Sequence, residues 1–187
     1  MRLSSEDRSR IHAAVVAAEA RVPVHIAVSV VPASDRYALF PLVWGAGATL
    51  LAGAIMAIAW PRLPLREAFI IEASVFIFVS LLFDWWPLRL MGVPRHVRRR
   101  HAQALADREF AARILASHER KGGMLFFVSL GERHAEILAD RETHARVGTD
   151  AWNRIVADYI ATAKQDRIAD GIVAAVEACA TAISSAK

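Results

Sequence analysis

Asp140, Glu142 and His144 stand at two-residue steps with Asp150 close behind them, and no other stretch of the chain has a better claim to chemistry. Hard divalent cations take several oxygen ligands from a flexible loop, and a cation so held can position a phosphoryl group and activate a water. Asp140, Glu142 and Asp150 are therefore the candidate divalent-metal ligands. Arg141 and Arg146 lie among them and would offset much of the acidic field, so a solvated charged loop is the competing reading. A second acidic pair, Asp35 and Glu132, follows the first two expected strands, and open α/β sheets favour ligands beyond the strand carboxyl ends. A hairpin at Gly131 would carry the next strand back by roughly 20 Å, which sends Asp140 to the opposite edge and keeps the two acidic groups apart.

His134 and Glu136 share one face of an expected strand, and His25 falls on another strand; together they have the donor types for zinc. Histidines on strand faces also occur without any metal. The chain has no phosphate-cradling glycine loop, no serine nucleophile elbow and no zinc signature, so it offers no nameable nucleophile. Its single cysteine, Cys179, excludes an intrachain disulfide and suits a reducing compartment. Cys179 falls within the apolar pattern of the last helix, the setting of a buried, inert thiol.

These residues must be positioned by a soluble α/β pattern that is interrupted and then resumes. Ser4 and Ser5 followed by Glu6 and Asp7 start a helix, with Ile11, Ala14, Val15 and Ala18 at helical spacing. Val24, Ile26, Val28 and Val30 then alternate as a strand. After the interruption, Ala102, Ala106, Phe110 and Ile114 predict a helix over residues 99–120, stopped by Gly122 and Gly123. The run MLFFVSL over 124–130 reads as a central strand covered on both faces. Gly131 and Glu132 suit a type II′ turn into a strand over 133–138. Two helices close the chain, with Trp152, Ile155, Val156 and Tyr159 inward on the first and Ile172, Val176, Cys179 and Ile183 inward on the second. Thr149 with Asp150, and Asp166, are the expected caps.

The interruption is apolar. Residues 40–60 run for 21 positions without a charge, about the length that crosses a bilayer core as a helix. A second run, over about 65–86, contains Glu72, which would reach the interface or water more readily than serve transport. Trp44, Trp60, Trp85 and Trp86 fall at the ends of the two runs, as interfacial aromatic belts do. The expected organisation is residues 1–36 as the first helix and strand of a soluble domain, 37–88 as a transmembrane hairpin, and 89–187 as the rest of the domain. Without the hairpin about 135 residues remain, enough for one core. The opening residues lack a signal-peptide apolar stretch, so the first span is expected to act as its own insertion signal with nothing removed.

Arg21 and Arg36 precede the hairpin and Arg89, Arg95, Arg98, Arg99 and Arg100 follow it, against Arg62 and Arg66 in the connector. That bias predicts an integral protein of the cell membrane with two spans and both termini cytoplasmic. The net charge of +4 and the HVRRRH segment at 96–101 fit a stretch held at anionic headgroups, and nucleic acid is not expected as a partner. Gly45, Thr49, Gly53 and Ala57 repeat at four-residue steps and place a small-residue stripe on the first span. The stripe serves either packing against the second span or contact with another copy or a membrane-protein partner.

Several of these stretches resemble the TPM domain family of membrane-anchored proteins. The resemblance is carried by RKGGMLFFVSLGERHAEI at 120–137, by Trp152-x-x-Ile155-Val156, by Asp170-Gly171-Ile172-x-Ala174-x-Val176 and by Leu3-Ser4-x-Glu6-Asp7-Arg8-x-Arg10-Ile11. It implies an α/β sandwich with a small central sheet flanked by helices, here interrupted by the two-helix hairpin. It also implies membrane attachment and, in some relatives, divalent-metal binding and phosphatase activity. Where the family often carries a glycine-rich turn, this chain has Leu138, Ala139, Asp140, Arg141, Glu142 and Thr143. The expected function is an interaction, assembly or repair module without strong catalysis, with a metal-dependent phosphatase as the alternative.

Overall fold

The computed structural model describes residues 3–34, 37, 39–85, 93–115 and 122–186. In chain order the elements are α1 (Ser5–Glu19), β1 (His25–Val31), α2 (Leu39–Ala59), α3 (Leu65–Asp84), α4 (Arg95–Phe110), a π-helical turn (Ala111–Leu115), β2 (Gly123–Ser129), β3 (His134–Ala139), α5 (Arg141–Val147), α6 (Thr149–Ala163) and α7 (Ile168–Ser185). The architecture is α/β, with seven α-helices and one three-stranded mixed sheet among the described residues. The chain divides into two compact units, Met1–Ser34 with Arg100–Lys187, and Asp35–Arg99.

In the first unit the sheet order is β1-β2-β3, with β1 parallel to β2 and β3 antiparallel to it. Every residue of β2 is buried, as its unbroken apolar run requires of a strand covered on both faces. Alternation sends Met124, Phe126 and Val128 to one side, where they join Ile26, Ile172, Val176, Cys179 and Ile183 in the main core under α1, α6 and α7. Leu125 and Phe127 go to the other side, against Ala27, Ala102, Ala106 and Ile114. The small Ala102 and Ala106 let the α4 backbone approach the sheet. Phe126 meets Tyr159 edge-on at a centroid separation of 5.2 Å, and burial pushes the Tyr159 hydroxyl up to about 12.

The ends of the elements depart from the sequence reading in instructive ways. At α1 the expected helix start takes the form of a capping box: Ser4 Oγ accepts the Asp7 N–H at 3.0 Å and the Asp7 carboxylate accepts the Ser4 N–H at 3.1 Å. The helix expected over 99–120 instead begins at Arg95 and passes into the π turn, while residues 116–121 lie outside the described residues. Gly123 does not stop that helix but opens β2, where a Cβ would collide with the Ile114 side chain. The β2–β3 connection is longer than a two-residue type II′ turn: the last paired residues are Ser129 and His134. The positive φ of 51° falls on Arg133, not on Gly131. Gly131 is needed for another reason, because a Cβ there would come within 2.8 Å of the Pro32 carbonyl oxygen.

Neither expected cap of the last two helices forms. Gly148, with φ 84° and ψ 150°, precedes α6, so Thr149 and Asp150 sit inside its first turn. Arg167 precedes α7, and Asp166 adopts a left-handed φ of 60°, which aspartate tolerates in turns.

In the second unit α2 and α3 form an antiparallel pair. Gly45 is faced by Ser80 and Phe76, and Gly53 by the Glu72 carboxylate, so these two members of the small-residue stripe turn toward α3. Trp44 stacks on Phe83 at 5.6 Å with their planes 12° apart. The outer surface stays apolar and exposed, including Leu50, Leu51 and Ile58 on α2 and Phe69, Phe78 and Leu81 on α3. Among the described residues two helices are long and apolar enough to cross a membrane, Leu39–Ala59 and Ile168–Ser185. The second of these is α7, whose apolar face is already buried in the core of the first unit.

Candidate functional site

Asp140, one of the three candidate metal ligands, has the surroundings of a helix cap. Residues 140–150, expected as a flexible loop, fold into α5 and the start of α6. Asp140 is the N-cap of α5: its Oδ1 accepts the backbone N–H groups of Glu142 at 3.0 Å and Thr143 at 3.1 Å. Its Oδ2 accepts the Gly123 N–H at 2.8 Å and the Thr143 hydroxyl at 2.7 Å. Burial alone would raise the Asp140 carboxyl, but the hydrogen bonds from Thr143, Gly123 and Glu142 together hold it below the usual carboxylate range.

An ionised carboxylate has about four lone-pair positions, and four donors meet this one. Little capacity is left for a cation. Glu142 is exposed on α5, and Asp150 is exposed in the first turn of α6. Among the described residues no three His, Cys, Asp or Glu side chains are arranged to hold a metal ion. The donor set of Asp140, Glu142 and Asp150 therefore does not fit a divalent cation.

The other candidates are also tied into the framework. Glu132 accepts from the Ser34 backbone N–H at 2.9 Å, from the Ser34 hydroxyl at 2.7 Å and from the Ser129 hydroxyl, clasping the segment after β1 to the end of β2. Asp35, its proposed companion, lies outside the described residues. His134 Nε2 stands 3.4 Å from Glu136 Oε2 on the shared face of β3. His25 does not join them: it sits on β1 with β2 between, and its Nδ1 is 2.6 Å from Glu19 Oε1. Burial pushes the Cys179 thiol up to about 12, so it stays protonated and unreactive.

Two carboxylates not singled out from the sequence have defined jobs at the outer strand β1. Glu19 Oε1 accepts the Ile26 backbone N–H at 2.9 Å while contacting His25. Glu109 accepts from Arg113 Nε at 2.6 Å and from the Ser29 hydroxyl at 3.2 Å. Glu19 is the last residue of α1 and gives no local signal of a bond to the following strand. The spacing of Glu109 and Arg113, four residues apart on a helix, did carry a signal for that pair.

Together these features define a small α/β domain with helices on both faces of a mixed sheet and with Asp140, Glu132, Glu19 and Glu109 held in structural bonds. Residues 93–182 match the family model described as the TPM domain, so that span of the chain is similar to TPM domains. Neither the curated proteins nor the solved structures contain a match to the chain.

Proposed function

We propose that the chain is a membrane-anchored TPM-domain protein whose soluble unit is an interaction, assembly or repair module without strong catalysis. The α2–α3 hairpin lies in the cell membrane and both termini face the cytoplasm. Its support is the apolar outer surface of the pair, since a soluble protein rarely exposes contiguous apolar area on this scale. The orientation is supported by the arginines in the flanking segments.

The observation that carries the non-catalytic reading is the saturated Asp140 carboxylate, which meets its four donors within the domain. A phosphatase working through Asp140, Glu142 and Asp150 would have to strip this cap from α5 to coordinate its metal. The test is turnover of a generic phosphate ester by the full chain in detergent micelles with magnesium, calcium, manganese or zinc. Thermal unfolding is followed in the same samples. The expected result is no turnover above that of Asp150→Asn and no rise in Tm with metal. A large metal-induced rise with turnover lost in Asp150→Asn would replace this reading with the metal-dependent phosphatase.

A further inference from the structure

We infer that the outer edge of β1 is a strand-addition site for an extended, acidic peptide segment of a partner protein. Among the described residues β1 ends the sheet on one side, and a groove of about 930 Å³ runs along it between α1 and the segment bearing Glu109 and Arg113. That volume is at the upper end of the roughly 300–1,000 Å³ of ligand pockets. The inference rests on the reading of the domain as an interaction module and gives that module a partner chemistry.

The ladder decides which backbone groups face the groove. His25 donates its N–H to the Gly122 carbonyl, and the Val31 carbonyl accepts from the Leu130 N–H, at 3.1 and 3.0 Å. In a parallel pair alternate residues bond to the same neighbour, so His25, Ala27, Ser29 and Val31 bond toward β2. Ile26, Val28 and Val30 therefore turn their N–H and C=O groups outward. The Ile26 N–H is taken by Glu19, a side chain standing where a neighbouring strand would accept. Val28 and Val30 remain only half-buried despite belonging to the core face. An extended peptide would bond their outward backbone groups and cover their side chains, the recognition mode of strand addition.

Charge selects the occupant. Both carboxylates lining the groove are engaged, Glu19 by His25 and the Ile26 N–H, Glu109 by Arg113 and Ser29. Arg8 and His12, exposed on the α1 wall, have no ion-pair partner among the described residues. The groove is thus apolar at its base with an unmatched basic wall, which favours acidic side chains on the incoming strand. A second copy fits less well. An antiparallel pair of β1 edges centred on Val28 would need the Ile26 N–H of each copy, already bonded to Glu19, and would bring two basic walls together.

The test uses the full chain in detergent micelles and fluorescence anisotropy of a short labelled peptide alternating valine and glutamate. Controls are the same peptide with lysine for glutamate, and one with alternate backbone nitrogens methylated. Val28→Pro removes the outward N–H at a position where an edge strand accepts proline. Arg8→Glu with His12→Glu reverses the wall on an exposed helix face and guards against a folding defect in the proline variant. Saturable binding of the acidic peptide is expected, weakened about tenfold or more by either variant, with neither control peptide binding. The inference is overturned by an absence of binding, by equal binding of the lysine or methylated peptide, or by binding that both variants leave unchanged. It is also overturned if light scattering finds a concentration-dependent dimer that Val28→Pro dissociates, because the occupant is then a second copy. Phosphate-ester turnover would instead remove the module reading, so the two failures are distinguishable.

Discussion

Asp140 and Gly123 hold each other by reciprocal hydrogen bonds: the Asp140 N–H donates to the Gly123 carbonyl at 2.9 Å, and the Gly123 N–H donates to Asp140 Oδ2 at 2.8 Å. The pair extends the β2–β3 ladder one step beyond Met124 and Ala139. The same carboxylate starts α5, so one side chain links a sheet end to a helix start.

Asp140→Ala should therefore cost both a helix cap, about 0.5–2 kcal/mol, and the satisfaction of the Gly123 N–H, about 1–3 kcal/mol. The two effects overlap, and a total of roughly 2–4 kcal/mol is expected in denaturant unfolding of the micelle-solubilised chain. The sign of the pH dependence follows from the lowered folded-state carboxyl. Its contribution is fully present above the unfolded-state value of about 4 and is lost as pH falls through the lower folded value. Asp140→Asn should flatten the acid limb of stability. An unchanged acid limb in that variant would show that the Asp140 hydrogen bonds do not set it.

How far the sequence disclosed this arrangement depends on whether a signal was local. The all-buried β2 was legible from its unbroken apolar run, and the parallel β1–β2 pairing from the helical crossover between short strands. The inward faces of α6 and α7 followed from their periodicity. Asp140 was legible as a polar residue after β3, but the short helix that it caps was not, and its bond to Gly123 joins residues 17 apart in sequence. Nothing local distinguishes such a cap from a metal ligand. The bond from Glu19 to the β1 edge is tertiary in the same sense, and it shows only once α1 is laid against the strand.

Gly148 gives a prediction that isolates backbone conformation. Its φ of 84° and ψ of 150° lie where a side chain is strained, yet a Cβ there would meet nothing within 4 Å. Gly148→Ala should thus destabilise the domain by about 1–3 kcal/mol through strain alone. Gly148→Asn should cost no less, because this is not the left-handed helical region that asparagine favours. A neutral alanine variant in denaturant unfolding would mean that the α5–α6 junction relaxes without penalty.

The pairing of β1 with β2 across the α2–α3 hairpin predicts that an early residue stabilises late ones. Ile26 is 1% exposed and pairs with Met124 in register. Ile26→Ala should lower stability by about 2–5 kcal/mol through lost transfer free energy and the cavity left behind. Amide hydrogen exchange in β2 should accelerate with it, because the strands open as one cooperative unit. Unchanged protection of the Phe126 and Phe127 amides would show that the segment after the hairpin holds its structure without the segment before it.

Topology can be read with single introduced cysteines, and the native thiol need not be removed. Cys179 is fully buried and burial pushes it up to about 12, so a membrane-impermeant maleimide should leave it unmodified in the folded chain. Ser5, Pro64 and Ser185 are all exposed, the first and last in the first unit and Pro64 at the connector between α2 and α3. With arginines concentrated before and after the hairpin, insertion should leave both flanks in the cytoplasm. Ser5→Cys and Ser185→Cys should react only after the membrane is opened, and Pro64→Cys should react in intact cells. The inverse pattern would place the domain outside the cytoplasm. Labelling of all three positions in intact cells would show that the α2–α3 pair does not cross the membrane and that its apolar surface is covered by protein.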